Sequence, residues 1–295
     1  MASSDDPFFS LKGDVRDVEK GEFLRLVGSK DEININNLIY RPDRLVSDDP
    51  INRWRIHKKK FKNFSFSKTL IERFQFTECQ FDECMFIGTL FVNCRFEGCK
   101  FSNSNTFRME LKDTYIDPNS FIGSITEKRY SNIAVDLFHE LLNNSRRESQ
   151  PKFSDDALYH FRKWKIIHAK KKSYSSKLSK FFHTITDTSL YWVFDYGLGF
   201  GVRFKNLACM FAFCIVFLAL MNWSFSEQLG LSEFRDGFEG FVDAIYFSII
   251  VITTLGFGDI VPTTVIGRFF VSFQAILGFV LLATFASMIF RKISQ

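Results

Sequence analysis

The sequence lacks the apolar stretch of a cleavable secretory leader near its start, because the first apolar pair, Phe8 and Phe9, stands behind two aspartates. Its six cysteines are therefore not expected to form a disulfide framework, and the bulk of the chain reads as cytosolic. Charge of one sign is also lacking: 38 basic against 33 acidic side chains leave a formal charge of +5, too balanced to argue for nucleic acid. His139, His160, His168 and His183 have no ligand spacing with acids or cysteines, so no resident metal or cofactor is expected. No catalytic constellation is visible either, which argues against an enzyme.

What the sequence does have is length, 46% apolar residues and 38 phenylalanines among its aromatics, enough for two or three domains with one segment using Phe as a repeated part. Two runs carry no charge at all. Residues 207 to 223 and 269 to 290 would reach roughly 25 and 33 Å as helices, so both can cross a bilayer. A pair of buried core helices is the alternative, but such helices rarely stay free of charge for so long. Lys170, Lys171, Lys172, Lys177, Lys180, Arg203 and Lys205 precede the first run, and Arg291 and Lys292 follow the second. Both termini are therefore expected in the cytoplasm of a multi-pass protein of the cell (inner) membrane. The segment between them is acidic, with Glu227, Glu233, Asp236, Glu239, Asp243 and Asp259 against Arg235 and Arg268, which would concentrate cations outside. Residues 177 to 203 interleave lysines with aromatics, as an interfacial helix does; an amphipathic core helix is the alternative.

Before the membrane part lies a repeat. Every fifth residue from Phe61 to Phe121 is apolar except Thr106, and nine of these thirteen centres are Phe. Two positions before them stand mostly small residues, among them Thr69, Cys79, Cys84, Thr89, Cys94, Cys99, Ser104 and Thr114. A period of five requires a chain that turns the same way every five residues, with one large and one small side chain inward per face. Val46, Ile51 and Ile56 keep the phase, and the expected start is near Ile56. Cys79 and Cys99, twenty apart, are expected to stack on one face while Cys84 and Cys94 point to other walls. That favours buried small hydrophobes over a metal set, and leaves a Cys79 to Cys99 bridge as the other option.

Residues 61 to 121 resemble the pentapeptide-repeat family. The resemblance implies a right-handed quadrilateral β-helix, here of about three coils stacked like other solenoids. A gyrase-binding DNA mimic, known among such proteins, would need an acidic face, whereas this stretch carries seven basic and eight acidic side chains.

From residue 124 the period becomes helical. Ile133, Leu137, Phe138, Leu141 and Leu142 form one stripe, closed by Asn143 and Asn144 and broken by Pro151. A second helix is expected to start at Ser154, with Leu158, Phe161, Trp164 and Ile167 on its apolar side. This hairpin could be a spacer, a partner-binding face or a subunit contact.

Between the two charge-free runs, Phe241 to Ile252 reads as an apolar helix too short to cross, hence re-entrant. It leads into Thr253, Thr254, Leu255, Gly256, Phe257, Gly258 and Asp259. A pore passing a dehydrated cation must replace the ion's water with oxygens, and rings of backbone carbonyls do so without trapping it. Aiming successive carbonyls to one side needs unusual φ at alternate residues, which Gly256 and Gly258 adopt at little steric cost.

Thr254 to Asp259 resembles the potassium-channel signature, and its place between two spans resembles the two-span pore domain. The resemblance implies K+ as the permeant ion, with carbonyls of Thr254, Leu255, Gly256 and Phe257 and the Thr254 hydroxyl coordinating it, and Gly258 completing the filter. It implies that Leu255 and Phe257 pack against the short helix, and that four chains form a C4 homotetramer in a lipid bilayer. Thr253, Asp259 and Ile250 would support the filter. Phe257 replaces the commoner Tyr, and Ile250 stands where some members place an acid that pairs with the Asp, so Asp259 is expected to lack that partner. Gly278 reads equally as a hinge or a close packing contact, and Ala283, Thr284, Ser287 and Met288 could line the cavity and gate. No arginine recurs every third residue in a span, which argues against a voltage sensor. No ligand-sensing domain is expected after Phe290.

The expected organisation is thus a multi-domain membrane protein. It comprises an N-terminal segment (1 to 55), a β-helix (56 to 123), a helical hairpin linker (124 to 176), an interfacial helix (177 to 203), an α-helical two-span pore domain with a re-entrant pore helix (204 to 290) and a short tail (291 to 295). Its expected function is a potassium-selective channel whose β-helix has a regulatory or assembly role, with an unknown cytoplasmic protein or ligand at the β-helix or hairpin. The other reading is a membrane-tethered interaction scaffold with a vestigial or non-selective pore.

Overall fold

A computed structural model describes residues 8–29, 33–49, 52–169, 203–231, 234–235 and 237–293. The chain divides into two compact units, Met1–Lys177 and Leu178–Gln295. The interfacial helix expected over 177 to 203, apart from Arg203, lies outside the described residues, as do Ile51, His183, Glu233 and Asp236.

The first unit is a β-solenoid whose neighbouring strands all run parallel. Its first ladder stacks Arg16–Val18, Asn34–Tyr40, Lys60–Ser65, Gln80–Asp82 and Lys100–Ser102. A second stacks Arg44–Val46, Leu70–Glu72, Leu90–Val92 and Glu110–Lys112, and a third Trp54–His57, Phe74–Thr77 and Arg95–Glu97. The fourth face is a column of single bridges through Ser65, Met85 and Asn105. Each step of five residues turns a corner at the position two after the centre. Asn63, Lys68, Arg73, Glu78, Glu83, Gly88, Asn93, Gly98, Asn103, Arg108 and Asp113 all have φ between 46° and 65° there. Left-handed backbone strains most L residues, which explains why six of these eleven corners are Gly, Asn or Asp.

The interior is a set of Phe columns. Phe61, Phe81, Phe101 and Phe121 stack with centroids 5.0, 4.7 and 4.1 Å apart and planes within 11° of parallel. Phe76 lies 4.8 Å over Phe96 on the adjoining wall. Such rings bury large apolar area and gain from their partners, so removing one leaves a void that the rigid coils cannot close. Phe81→Ala, at a side chain 1% exposed, is expected to cost about 3–5 kcal/mol, lowering the unit's thermal midpoint by about 10 °C in a melting curve of the full chain.

The small positions have a second requirement beyond size. The Sγ of Cys79, Cys84, Cys94 and Cys99 donates to the carbonyl of the residue 23 earlier, at 3.6, 3.4, 3.4 and 3.4 Å. The hydroxyls of Thr89, Ser104 and Thr114 do the same, toward Phe66, Phe81 and Phe91. At these seven positions the short side chain is also a donor. All four thiols are buried and free, and Cys79 and Cys99 form no bridge. Burial pushes the Cys84 thiol well up and that of Cys94 up to about 12, while the neighbouring Cys79 and burial hold Cys99 protonated. Neutral buried thiols of this kind are inert.

The ladders begin well before residue 56, since Ile35 pairs with Phe61 and Leu45 with Ile71. Leu45 rather than Val46 is the buried centre. These pairs are 26 residues apart, whereas Ile56 and Phe76 are 20 apart, so six extra residues lie between Leu45 and Ile56 and the earlier five-residue phase is lost. Helix α1 (Lys20–Gly28) closes this end by inserting Phe23 among Tyr40, Phe61, Phe64 and Phe66.

The helical hairpin closes the other end. Helix α2 (Ser131–Arg147) runs past the expected stop at Asn144, and α3 (Pro151–Ala169) starts with Pro151 rather than at Ser154, since proline is tolerated in a first turn. The last coil leaves backbone groups unpaired, and α2 satisfies them. Leu111 N–H donates to Glu140 at 3.0 Å and its carbonyl accepts from Arg147 at 2.8 Å. The Asn144 amide takes both backbone groups of Thr114. A solenoid edge is thereby blocked against further strands.

The second unit contains α4 (Phe204–Ser224), the short α5 (Ser226–Leu229), α6 (Gly237–Ile252) and α7 (Val265–Ile293). Over Phe204–Ser224 and Val265–Phe290 the mean hydropathy reaches 2.1, and both are long enough to span a bilayer. Large apolar side chains such as Phe213, Phe217, Phe269, Phe273 and Phe279 remain exposed, a surface that suits lipid or neighbouring chains rather than water.

Candidate functional site

Helix α6 ends where the β-branched Ile249, Ile250, Val251 and Ile252 meet Thr253, and the chain then folds back on the helix's own last carbonyls. Thr253 N–H donates to Ile249 O at 2.9 Å, Thr254 N–H to Val251 O at 3.1 Å and Leu255 N–H to Ile250 O at 3.0 Å. Ile250 thus supports the loop through its carbonyl, with its side chain 4% exposed. Beyond it the backbone alternates: Thr254, Gly256 and Gly258 have φ of 58°, 52° and 77°, while Leu255 and Phe257 between them do not take positive φ. Reversal of handedness at every second residue lets successive carbonyls of an extended segment face one side, which no uniform strand does. Thr254 is the one β-branched residue with positive φ among the described residues. Branching at Cβ makes that conformation costly, and strain of this kind persists where the surroundings impose it, often at functional sites.

Residues Thr254 to Asp259 are all exposed within the single chain. Leu255 and Phe257, expected to pack on the short helix, are 61% and 68% exposed instead. Their apolar surface is therefore not covered within the chain. Asp259 is not without a partner: the Tyr246 hydroxyl, one helical turn before Ile250, donates to its Oδ2 at 2.6 Å. The tie runs from the middle of α6 to the far end of the loop, and the absence of an acid at position 250 gave no hint of it. Asp243, one of the acidic residues between the spans, is taken up by Arg235, whose backbone N–H and guanidinium reach it at 2.7 to 3.1 Å.

Comparison with known proteins agrees with this geometry. Residues 207–295 match the family described as "Ion channel". This stretch is similar to ion-channel domains. Two-pore potassium channel 4 of Arabidopsis thaliana is 58% identical over 38 residues, a stretch covering 11% of this chain and 13% of that protein. The chain therefore matches a small part of that relative's length.

The second unit holds a feature that the sequence reading passed over. Asn222 of α4, Ser248 of α6 and Gln274 of α7 are each 0% exposed and bond to one another. The Asn222 amide donates to Ser248 Oγ at 2.9 Å and to Gln274 Oε1 at 3.2 Å, and Gln274 Nε2 donates back to Asn222 Oδ1 at 2.9 Å. One amide pair and one hydroxyl thus fasten the three helices at a single point behind the loop. An amide inside each apolar run was the available signal, because polar residues in spans seldom lack a role.

Gly278 of α7 lies against the last residue of α6, and a Cβ built there would stand 2.6 Å from Ile252 Cα. Of its two readings, the close packing contact is the one to which the structure gives a partner. Of the residues expected at the cavity, Ala283 and Ser287 are exposed and Thr284 is half-buried, its hydroxyl donating to Val280 O at 2.8 Å. Met288 is 7% exposed, so it packs within its own chain rather than sharing the open face with Ser287. Residues 283 and 287 share a face of α7; residue 288 is turned about 100° away from 287.

Proposed function

We propose that the chain conducts potassium ions as a C4 homotetramer in the cell membrane, with both termini in the cytoplasm. The carrying observation is the alternation of backbone handedness at Thr254, Gly256 and Gly258, held on the carbonyl end of α6 between two spans. Carbonyls of Thr254, Leu255, Gly256 and Phe257, repeated four times about an axis, would replace the hydration shell of K+. The Thr254 hydroxyl donates to Thr253 O at 2.7 Å, which leaves its lone pairs for the ion. Leu255 and Phe257 would find in neighbouring copies the packing that their own chain does not offer. The carbonyl end of α6 adds a favourable potential for a cation. Gly258, Thr253, Ile250 and Asp259 support the loop, Gly278 sets how closely α7 approaches it, and Ala283, Thr284 and Ser287 face the inner path. The solenoid serves regulation or assembly.

Potassium flux into proteoliposomes containing the purified chain tests this reading, with the reversal potential expected to follow the K+ gradient rather than the Na+ gradient. Silence under all ionic conditions, together with an intact cellular role for a variant carrying a ruined filter, would favour the tethered scaffold. The Tyr246 tie gives a finer test. A hydrogen bond to a carboxylate contributes about 1.5–3 kcal/mol at most, and the exposure of both groups lowers that figure. Tyr246→Phe is expected to shorten the conducting time of the filter several-fold in single-channel records while assembly is unchanged.

A further inference from the structure

On one wall of the solenoid, near the corner where the six extra residues enter, a pocket of about 240 Å³ is lined by Asn52, Arg53, Arg55, Arg73, Gln75 and Asn93. Three of these six side chains are guanidinium groups and none is a carboxylate. The carboxylates that touch the lining residues are occupied at its rim: Asp49 accepts from Asn52, Glu72 lies 3.5 Å from Arg73, and Glu97 is held by Arg95 and Gln75.

Two of the arginines are fixed from behind. Arg53 donates Nε to the Asn93 carbonyl at 2.9 Å and Nη2 to the Asn93 side chain at 2.5 Å, which leaves Nη1 unused. Arg73 donates Nη2 to the Ser47 carbonyl at 3.1 Å, and its Nε is buried without a partner. Arg55, beside Gln75 in the strand register, makes no hydrogen bond or ion pair among the described residues, and its charge acts on Glu97 only from a distance. Arg73 has Glu72 3.5 Å away, whereas no carboxylate pairs with Arg53 or Arg55 among the described residues; donors thus stay unfilled on all three, and a guanidinium fork fits the paired oxygens of a phosphate.

We propose that this pocket binds a phosphate-bearing ligand, with Arg55 as the mobile clamp and Arg53 and Arg73 as the fixed floor. Its volume suits a phosphate or diphosphate group. The site stands on its own geometry and does not depend on conduction.

The experiment titrates the full chain in detergent micelles with pyrophosphate, in chloride-matched buffer, by calorimetry. Saturable binding at one pyrophosphate per chain is expected, weakened roughly tenfold by Arg55→Gln and further by the Arg53→Gln, Arg55→Gln double variant. Because Arg55 makes no bond in the free protein, Arg55→Gln should leave the ligand-free melting temperature unchanged, so lost binding would not reflect lost folding. Parallel titrations with a water-soluble short-chain phosphatidylinositol phosphate and with a nucleoside triphosphate distinguish a lipid headgroup from a free phosphate compound: whichever binds more tightly identifies the source, and either supports the site. Absence of saturable binding by all three ligands, or wild-type affinity in Arg55→Gln, overturns it.

Discussion

Gly256→Asp is expected to reduce potassium flux to that of protein-free vesicles, a loss larger than any other single change in this chain should cause. Gly256 has φ of 52°, a region where an L side chain costs roughly 1–2 kcal/mol, so the peptide would tend to flip and turn its carbonyl away from the ion path. The added carboxylate would bind a cation too tightly to release it, even if the backbone held. Nothing lies within 4 Å of the Gly256 Cβ position in the single chain, so folding of the subunit itself should survive. Size-exclusion chromatography alongside the flux assay separates the two effects: normal assembly with no flux is the predicted result, and retained selective flux would refute the carbonyl-ring reading.

Gln274→Leu is expected to have the next largest effect, because it strands a buried group at the point where three helices meet. The Asn222 carbonyl oxygen would lose its donor in an apolar surrounding, at a cost of about 1–3 kcal/mol. Removing both amides with Asn222→Leu and Gln274→Leu should recover part of that loss, since matched apolar replacements leave less unsatisfied; the Ser248 hydroxyl can then turn to its own helix. The double-mutant cycle is read from thermal unfolding of the purified protein, and a strictly additive result would mean that the three side chains are not coupled. Ser248 lies six residues before Thr254, so the single variants are also expected to alter conduction.

Much of this architecture was legible in the sequence because it depends on periodicity. The five-residue recurrence of Phe from residue 61 onward yields the solenoid, and the charge-free runs yield the two long helices. The Thr254 to Asp259 motif locates the loop, because glycines at alternate positions follow directly from the backbone it needs. Features that depend on non-periodic contacts were hidden. Six additional residues between Leu45 and Ile56 broke the phase and concealed the N-terminal strands. Glu140, Asn144 and Arg147 look like an ordinary polar helix face until the last coil's open backbone is placed beside them. Tyr246 and Asp259 come together only once the chain reverses at the end of α6. The thiols were read correctly as buried and small, but their role as donors to the preceding coil appears only from the repeated 23-residue spacing.

That spacing has a practical consequence. Since serine and threonine already occupy equivalent sites at 89, 104 and 114, exchanging Cys79, Cys84, Cys94 and Cys99 for them should leave the coils intact. Cys209 and Cys214 would then be the sole attachment points for a fluorophore or spin label, giving spectroscopists a ready handle on movements of α4.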